Sequence, residues 1–210
     1  ATRCWLRSVG SNCSDCIYML AKLRLRDALA EVLHTYPINA KNENGLTATD
    51  MAIIGEDSEA VHLLVSFGGK CETMGTRNPK IRHILENIRN MTDNMWSSLA
   101  LALDAGLSLD ARSSFIDCET DGKGSFWDTW KLRLPLQGRA IYEANERLLQ
   151  LCMSHGMNLD KPFLVEYIDD CSDPESTPED VANGKEYVVG SEMMKPLKFA
   201  YMIGNNDAVE

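Results

Sequence analysis

Apolar residues return along this chain at offsets that place them on one side of a helix, and the arrangement repeats. Ala52 to Gly68 carries Val61, Leu63, Leu64 and Val65 ahead of its glycine. Ala140 to Gly156 carries Leu148, Leu149, Leu151, Cys152 and Met153 over the same sixteen-residue step. A third copy, Leu99, Leu101, Ala102, Leu103, Asp104, Ala105, Gly106, Leu107, Ser108, Leu109 and Asp110, parallels the run from Leu149 through Gly156 to Leu159 and Asp160. Such offsets make an apolar stripe on a helix, and a glycine just past it supplies the left-handed backbone that stops the helix. Each unit therefore predicts helix, turn, helix, stop.

The openings of the units repeat as well. Gly45, Thr47, Ala52 and Glu59 precede the second-helix stripe of Val61, Leu63 and Leu64, which closes at Gly68. Lys195, Pro196, Leu197, Lys198, Phe199 and Ala200, then Gly204 and Val209, read as the front half of a further copy. Leu134, Pro135, Leu136 and Gln137 echo the same opening one residue out of step with Ala140. Threonine caps a helix start, and proline in the first turn forfeits no hydrogen bond. At the front, Met19, Leu20, Leu23, Leu29, Val32 and Leu33, followed by Ile38, Asn39, Ala40 and Lys41, form a weaker first unit. There Thr35, Tyr36 and Pro37 stand in place of the glycine turn.

These residues resemble the ankyrin repeat, whose pattern joins G-x-T-P-L-H-x-A to a second helix of V-V-x-L-L-L and a closing Gly-Ala. The resemblance implies a mainly α fold, an ankyrin-type helix-turn-helix solenoid with inserted loops or short hairpins. It gives one domain over 1–210, with units at about 16–40, 44–71, 79–110, 134–160 and an incomplete 194–210. Repeats of this kind run to about 33 residues, whereas the steps Gly68 to Gly106 and Gly106 to Gly156 are 38 and 50. The surplus, roughly 5 and 17 residues, is expected in surface connections, the larger part in an insertion at about 111–133, and a longer insertion at about 161–192 separates the fourth and fifth units. Because a solenoid end without a cap exposes apolar surface, the half unit before Glu210 implies that the natural protein continues.

Composition narrows the functional classes. Of 210 residues, 44% are hydrophobic and 25% charged, as in an ordinary folded protein. A formal charge of −10 opposes attraction to nucleic acid or anionic lipid. No apolar run reaches the roughly 18 residues a membrane helix needs. Seven cysteines, Cys4, Cys13, Cys16, Cys71, Cys118, Cys152 and Cys171, are an odd and scattered set. They fit reduced thiols and a cytoplasmic protein rather than a disulfide framework.

No catalytic, metal or cofactor site is expected. Cys13 and Cys16 have zinc-ligand spacing, with Cys4 nine residues earlier, but no second pair follows. Asp117, Glu119, Asp121, Gly122 and Asp128 approach a calcium loop, yet Asp128 replaces the longer glutamate and Gly124 takes an apolar position. His34, His62, His83 and His155 form no metal or nucleophile spacing. His62 and His155 fall near the ends of second helices, where a cation is favoured.

Two insertions carry the remaining candidates. Glu166, Asp169, Asp170, Asp173, Glu175, Glu179 and Asp180, with Pro174 and Pro178 opposing helix, make a solvated loop or a dock for a basic partner. Phe115, Phe126, Trp127 and Trp130 crowd the other insertion, and Trp130, Leu132 and Leu134 alternate with Lys131 and Arg133 as in a strand. Trp96 is assigned to the core.

The ankyrin resemblance implies a monomeric scaffold that binds another protein. The expected contacts at helix entrances and hairpin tips are Lys41, Asn42, Glu43, Asn44, Leu46 and Asp50, with Trp127 and Trp130 as aromatic anchors. The alternative is the targeting part of a larger enzyme or pathogen effector whose activity lies in the insertions or outside the chain. A histidine converging on Cys118 or Cys171 would mark it.

Overall fold

A computed structural model describes residues 13–72, 77–112, 116–117, 130–169 and 190–203, with backbone only at 116–117, 130–131, 167–169 and 190. Among them the chain is mainly helical with a small sheet, nine α-helices and four strands. The chain forms two compact units, Ala1–Ala111 and Arg112–Glu210.

The first unit holds three helical hairpins: α1 (Cys13–Lys22) with α2 (Arg26–Leu33), α3 (Ala48–Ile54) with α4 (Ser58–Ser66), and α5 (Pro79–Glu86) with α6 (Asp93–Asp104). Helix α3 packs on α1 and also on α5 and α6, so the middle hairpin is covered on both sides. Its core side chains Ala52, Ile53, Ala60, Val61 and Leu64 are 0–1% exposed. Burial of this order is worth about 1.5–3 kcal/mol for each large side chain.

Helix starts follow from short polar side chains. Thr47 Oγ1 accepts the Asp50 amide while Asp50 returns a bond to the Thr47 amide, a capping box. The side chains of Asp57, Asn78, Thr92 and Asn145 each accept an amide of the first turn of their helices, and Pro79 follows Asn78 in the first turn.

Helix ends repeat with matching geometry. Gly68, Gly106 and Gly156 have φ of +87°, +95° and +88°. In each, the glycine N–H bonds to the third carbonyl back (Val65, Leu103, Met153). The next N–H reaches Leu64, Ala102 or Cys152 at 2.8–2.9 Å. The turns within hairpins use the same two bonds without glycine, at Arg24 (φ 60°), Glu56 (φ 54°) and Ala144 (φ 46°). The closing glycines 68 and 156 come twelve residues after 56 and 144, and twelve after Arg24 stands Tyr36.

The third hairpin departs from this rule. The short 3₁₀ turn Ile88–Asn90 joins its helices, and α6 has twelve residues against nine in α4. Trp96 is 9% exposed on α6, within the core as expected. By contrast Met19 and Leu23, read as part of the first apolar stripe, are 44% and 59% exposed.

The second unit holds the hairpin α7 (Leu136–Tyr142) and α8 (Glu146–Ser154), with α9 (Pro196–Met202) packed on α7. An antiparallel sheet in the order β1-β2-β3-β4 joins β1 (Ile116–Asp117), β2 (Trp130–Arg133), β3 (Phe163–Asp169) and β4 (Gly190–Met194). The alternation of Leu132 and Leu134 with Arg133 is thus a strand and its exit. The region from 161 onward, read as an acidic loop, begins instead with a seven-residue strand. Leu132, Phe163, Val165 and Met194 are 0–1% exposed.

The step of one residue between Leu134–Gln137 and Ala140 has a structural cause. Pro135 itself occupies the N-cap position, as Thr47 and Lys195 do in α3 and α9. Ala52, Ala140 and Ala200 then all fall five residues past the cap, each at most 1% exposed.

Candidate functional site

The loop ahead of α3 presents a tip built by one side chain. Asn42 Oδ1 accepts the amides of Asn44 and Leu46, each at 3.0 Å, while the Asn42 N–H donates to the Leu46 carbonyl at 2.9 Å. Gly45 turns the chain with φ of +75°, and the Arg77 side chain lies against it where a Cβ would stand, 2.6 Å from Nη1. Lys41, Glu43 and Asn44 are exposed, and Asn42 is half-buried.

Two residues expected at this surface are not on it. Leu46 is only 9% exposed, its apolar side chain turned inward. Asp50 is fully buried, and its carboxylate is occupied. Oδ2 accepts from the Thr47 amide at 3.0 Å and lies 2.8 Å from its hydroxyl, while Oδ1 accepts from the Glu72 amide at 3.1 Å and Asn78 Nδ2 at 3.2 Å. Asp50 therefore ties the second hairpin to the start of the third.

From the tip a face runs across the three hairpins. Asn42 Nδ2 reaches Asp15 Oδ1 on α1 at 3.3 Å and Met51 Sδ on α3 at 3.6 Å. One turn further along, the Tyr18 hydroxyl lies over Gly55, where a Cβ would come within 2.7 Å of it. The Lys22 ammonium lies 5.8 Å from the Tyr18 ring centre. Glu56, next to Gly55, pairs with Lys80 on α5. Tyr18, Met51 and Ile54 are half-buried and Met19 is exposed, so an apolar and aromatic centre is rimmed by Asp15, Asn42, Lys22, Glu56 and Lys80.

Sequence reasoning missed this centre, though it left a signal. Ala-Thr-Asp-Met-Ala-Ile-Ile in α3 is apolar on more than one side, as expected of a helix that keeps apolar surface beyond its core stripe.

The hairpin turn opposite the tip is closed by charge. Arg24 donates to Asp57 and Glu59, each at 2.8 Å. The Arg24 guanidinium holds the Asp57 carboxyl below its usual range. With the folded pKa depressed, this stabilisation is present above the unfolded pKa and is lost as pH falls through the folded one.

In the second unit Glu166 lies between Arg112 (2.8 Å) and Arg133 (3.8 Å). It is a paired strand residue, which corrects its reading as part of a solvated run. Asp169 ends β3, and Asp170, Asp173, Glu175, Glu179 and Asp180 lie outside the described residues.

Other candidates are partly placed. Trp130 opens β2 opposite Asp169, and Asp117 closes β1 opposite Lys131. Trp127, Cys4, Cys118, Cys171 and the remainder of the calcium-like loop lie outside the described residues. Among the described residues no group of three or more histidine, cysteine or acidic side chains is placed to hold a metal. His155 follows α8 with Nδ1 2.9 Å from the Leu151 carbonyl, and His83 Nδ1 lies 3.3 Å from Asn87 Nδ2.

Cys71 and Cys152 are buried free thiols. Burial pushes both up to about 12, with the Asp50 charge a second cause at Cys71. A thiol reacts through its thiolate, so at pH 8 both are expected to resist iodoacetamide in the folded chain. They should label at ordinary rates once urea unfolds it, as peptide mass mapping reads directly. Labelling of either in the folded chain as fast as in urea would contradict their burial.

No protein-family model matches the chain, and no curated protein matches it in sequence. Among the described residues no helix is long and apolar enough to cross a membrane.

Proposed function

We propose that this chain is an ankyrin-type repeat scaffold, cytoplasmic and monomeric, that binds another protein through the face running from the 41–45 tip across α1, α3 and the start of α5. The observation that carries this reading is the chain of contacts Asp15–Asn42–Met51 and Tyr18–Gly55. It assembles half-exposed Tyr18, Met51 and Ile54 from successive hairpins into one surface. The recurrent two-bond turns at 24, 56 and 144 and glycine stops at 68, 106 and 156 support the repeat reading.

A surface made of capped helices has little ordering cost on association. Aromatic and methionine side chains inside a polar rim match the anatomy of protein interfaces. Lys41, Glu43 and Asn44 belong to that rim, with Trp127 and Trp130 as a second contact region.

The test is recovery of partners from extracts of the cells that make the protein, comparing wild type, Tyr18→Ala/Met51→Ala and Trp127→Ala/Trp130→Ala. The first pair is expected to lose a specific partner at least about tenfold, as when two interface anchors costing about 1 kcal/mol or more each are truncated. Its melting temperature should stay close to that of wild type. Equal recovery by a folded Tyr18→Ala/Met51→Ala variant removes this face from the interface.

A further inference from the structure

We propose that Cys13 and Cys16 are a redox-active pair that closes to a disulfide within the first turn of α1 and reopens on reduction. They are three residues apart in one helix. Helical rise and radius place such Cα atoms about 5 Å from each other, inside the roughly 4.4–6.8 Å that a disulfide spans. Both are free thiols, Cys13 partly exposed and Cys16 buried at 6% exposure. That division gives them different roles: Cys13 meets the incoming reagent and Cys16 resolves. Burial, with the neighbouring Cys13 charge, raises the Cys16 thiol and keeps it protonated while Cys13 reacts first.

The oxidant is a small disulfide of the oxidised-glutathione class. The Cys13 thiolate attacks one of its sulfurs, forming Cys13–S–S–R and releasing RS⁻, which takes a proton from solvent. Cys16 then loses its proton to water and attacks Cys13 Sγ, forming the Cys13–Cys16 bond and expelling a second RS⁻, which is protonated in turn. The cysteines lose two electrons, and one small disulfide becomes two thiols.

Asp15, between the two cysteines, carries the consequence. Closing the ring draws Cβ atoms from their helical spacing of about 5–6 Å to about 3.8 Å. This tightens the turn on which the Asp15 carboxylate sits. Asp15 accepts from Asn42 Nδ2, and Asn42 Oδ1 in turn orders the amides of Asn44 and Leu46. Oxidation thus alters the tip of the proposed interface. This last step rests on the reading of that face as an interface, whereas the disulfide itself does not.

The experiment poises the whole chain in glutathione buffers from reducing to oxidising, blocks the remaining free thiols with iodoacetamide in urea, and maps tryptic peptides by mass. Cleavage after Arg7 and Lys22 puts Cys13 and Cys16 in one peptide and Cys4 in another. In oxidising buffer that peptide is expected unlabelled and roughly 2 Da lighter, the loss of two hydrogens. Cys16→Ser should instead carry one glutathione on Cys13. Cys13→Ser should leave Cys16 free of glutathione in every buffer and alkylated once urea exposes it.

Two alkylated cysteines across the whole range, a cross-link to the Cys4 peptide, or glutathione on both cysteines would overturn the proposal. Amide resonances of Asn44 and Leu46 should shift on oxidation and return on reduction. If they stay fixed while the disulfide forms, the coupling to the tip is refuted and the redox pair stands.

Discussion

Replacing Asp50 by alanine is expected to destabilise the first unit by about 3 kcal/mol, because it leaves buried donors without an acceptor. The Thr47 and Glu72 amides and Asn78 Nδ2 all bond to this carboxylate. The Thr47 hydroxyl, with one proton, lies within reach of both Asp50 and the Lys70 carbonyl at 2.9 Å, so it keeps a partner in the variant, and Asn78 Nδ2 keeps its bond to the Asp50 main-chain carbonyl at 3.4 Å. Asp50→Asn retains one acceptor oxygen and turns an NH₂ group toward the remaining donors, so an intermediate loss of about 1–2 kcal/mol is expected. Urea unfolding followed by circular dichroism measures both. A loss below about 0.5 kcal/mol for the alanine variant, the range of an ordinary surface substitution, would contradict the role given to Asp50.

Phe163→Ala is expected to have an effect at least as large in the second unit, about 3–5 kcal/mol. Phe163 is 1% exposed on β3 and meets the buried Phe199 ring edge-on, with centroids 5.4 Å apart. It also fills the space over Gly138, where a Cβ would stand 2.9 Å from its Cε2. No neighbouring backbone can collapse into the vacated volume without moving β3, α7 and α9 together, so the cavity term adds to the transfer term. Phe163→Leu, which keeps most of the volume, should recover more than half of the loss. A Phe163→Ala variant within 1 kcal/mol of wild type in urea unfolding would show that sheet and helices do not share this core.

Thr47 and the glycine stops could be read because caps and left-handed turns are set by local chemistry. Position in the helix entrance alone sets Asp50 on the surface, although Thr47-Ala-Thr-Asp50 carries its own signal: a threonine followed three residues later by an acid closes a capping box. Its further partners, Glu72 and Asn78, are 22 and 28 residues away and leave no local trace.

Strand β3 escaped for a different reason. Phe163-Leu164-Val165-Glu166-Tyr167-Ile168 is apolar at both odd and even positions, so no alternation distinguishes it from a loop or helix. Glu166 reads as one more acid until Arg112, 54 residues earlier, is seen beside it. Met19 and Tyr18 share α1 with the buried Ile17, Leu20 and Ala21, and only tertiary packing separates the covered side from the uncovered one.

In the proposed interface the surface around Met51 meets a partner protein and the second helices do not. Photo-crosslinking tests it most directly. A benzophenone amino acid is placed singly at Met19, Met51 or Ile54 on the face, and at the exposed His62 of α4 as the control, in the full chain within its own cell extract. One discrete higher-mass adduct is expected at all three face positions and absent at position 62. Adducts at position 62 equal to those at 51, or none at any face position while the chain still recovers a partner, would contradict it.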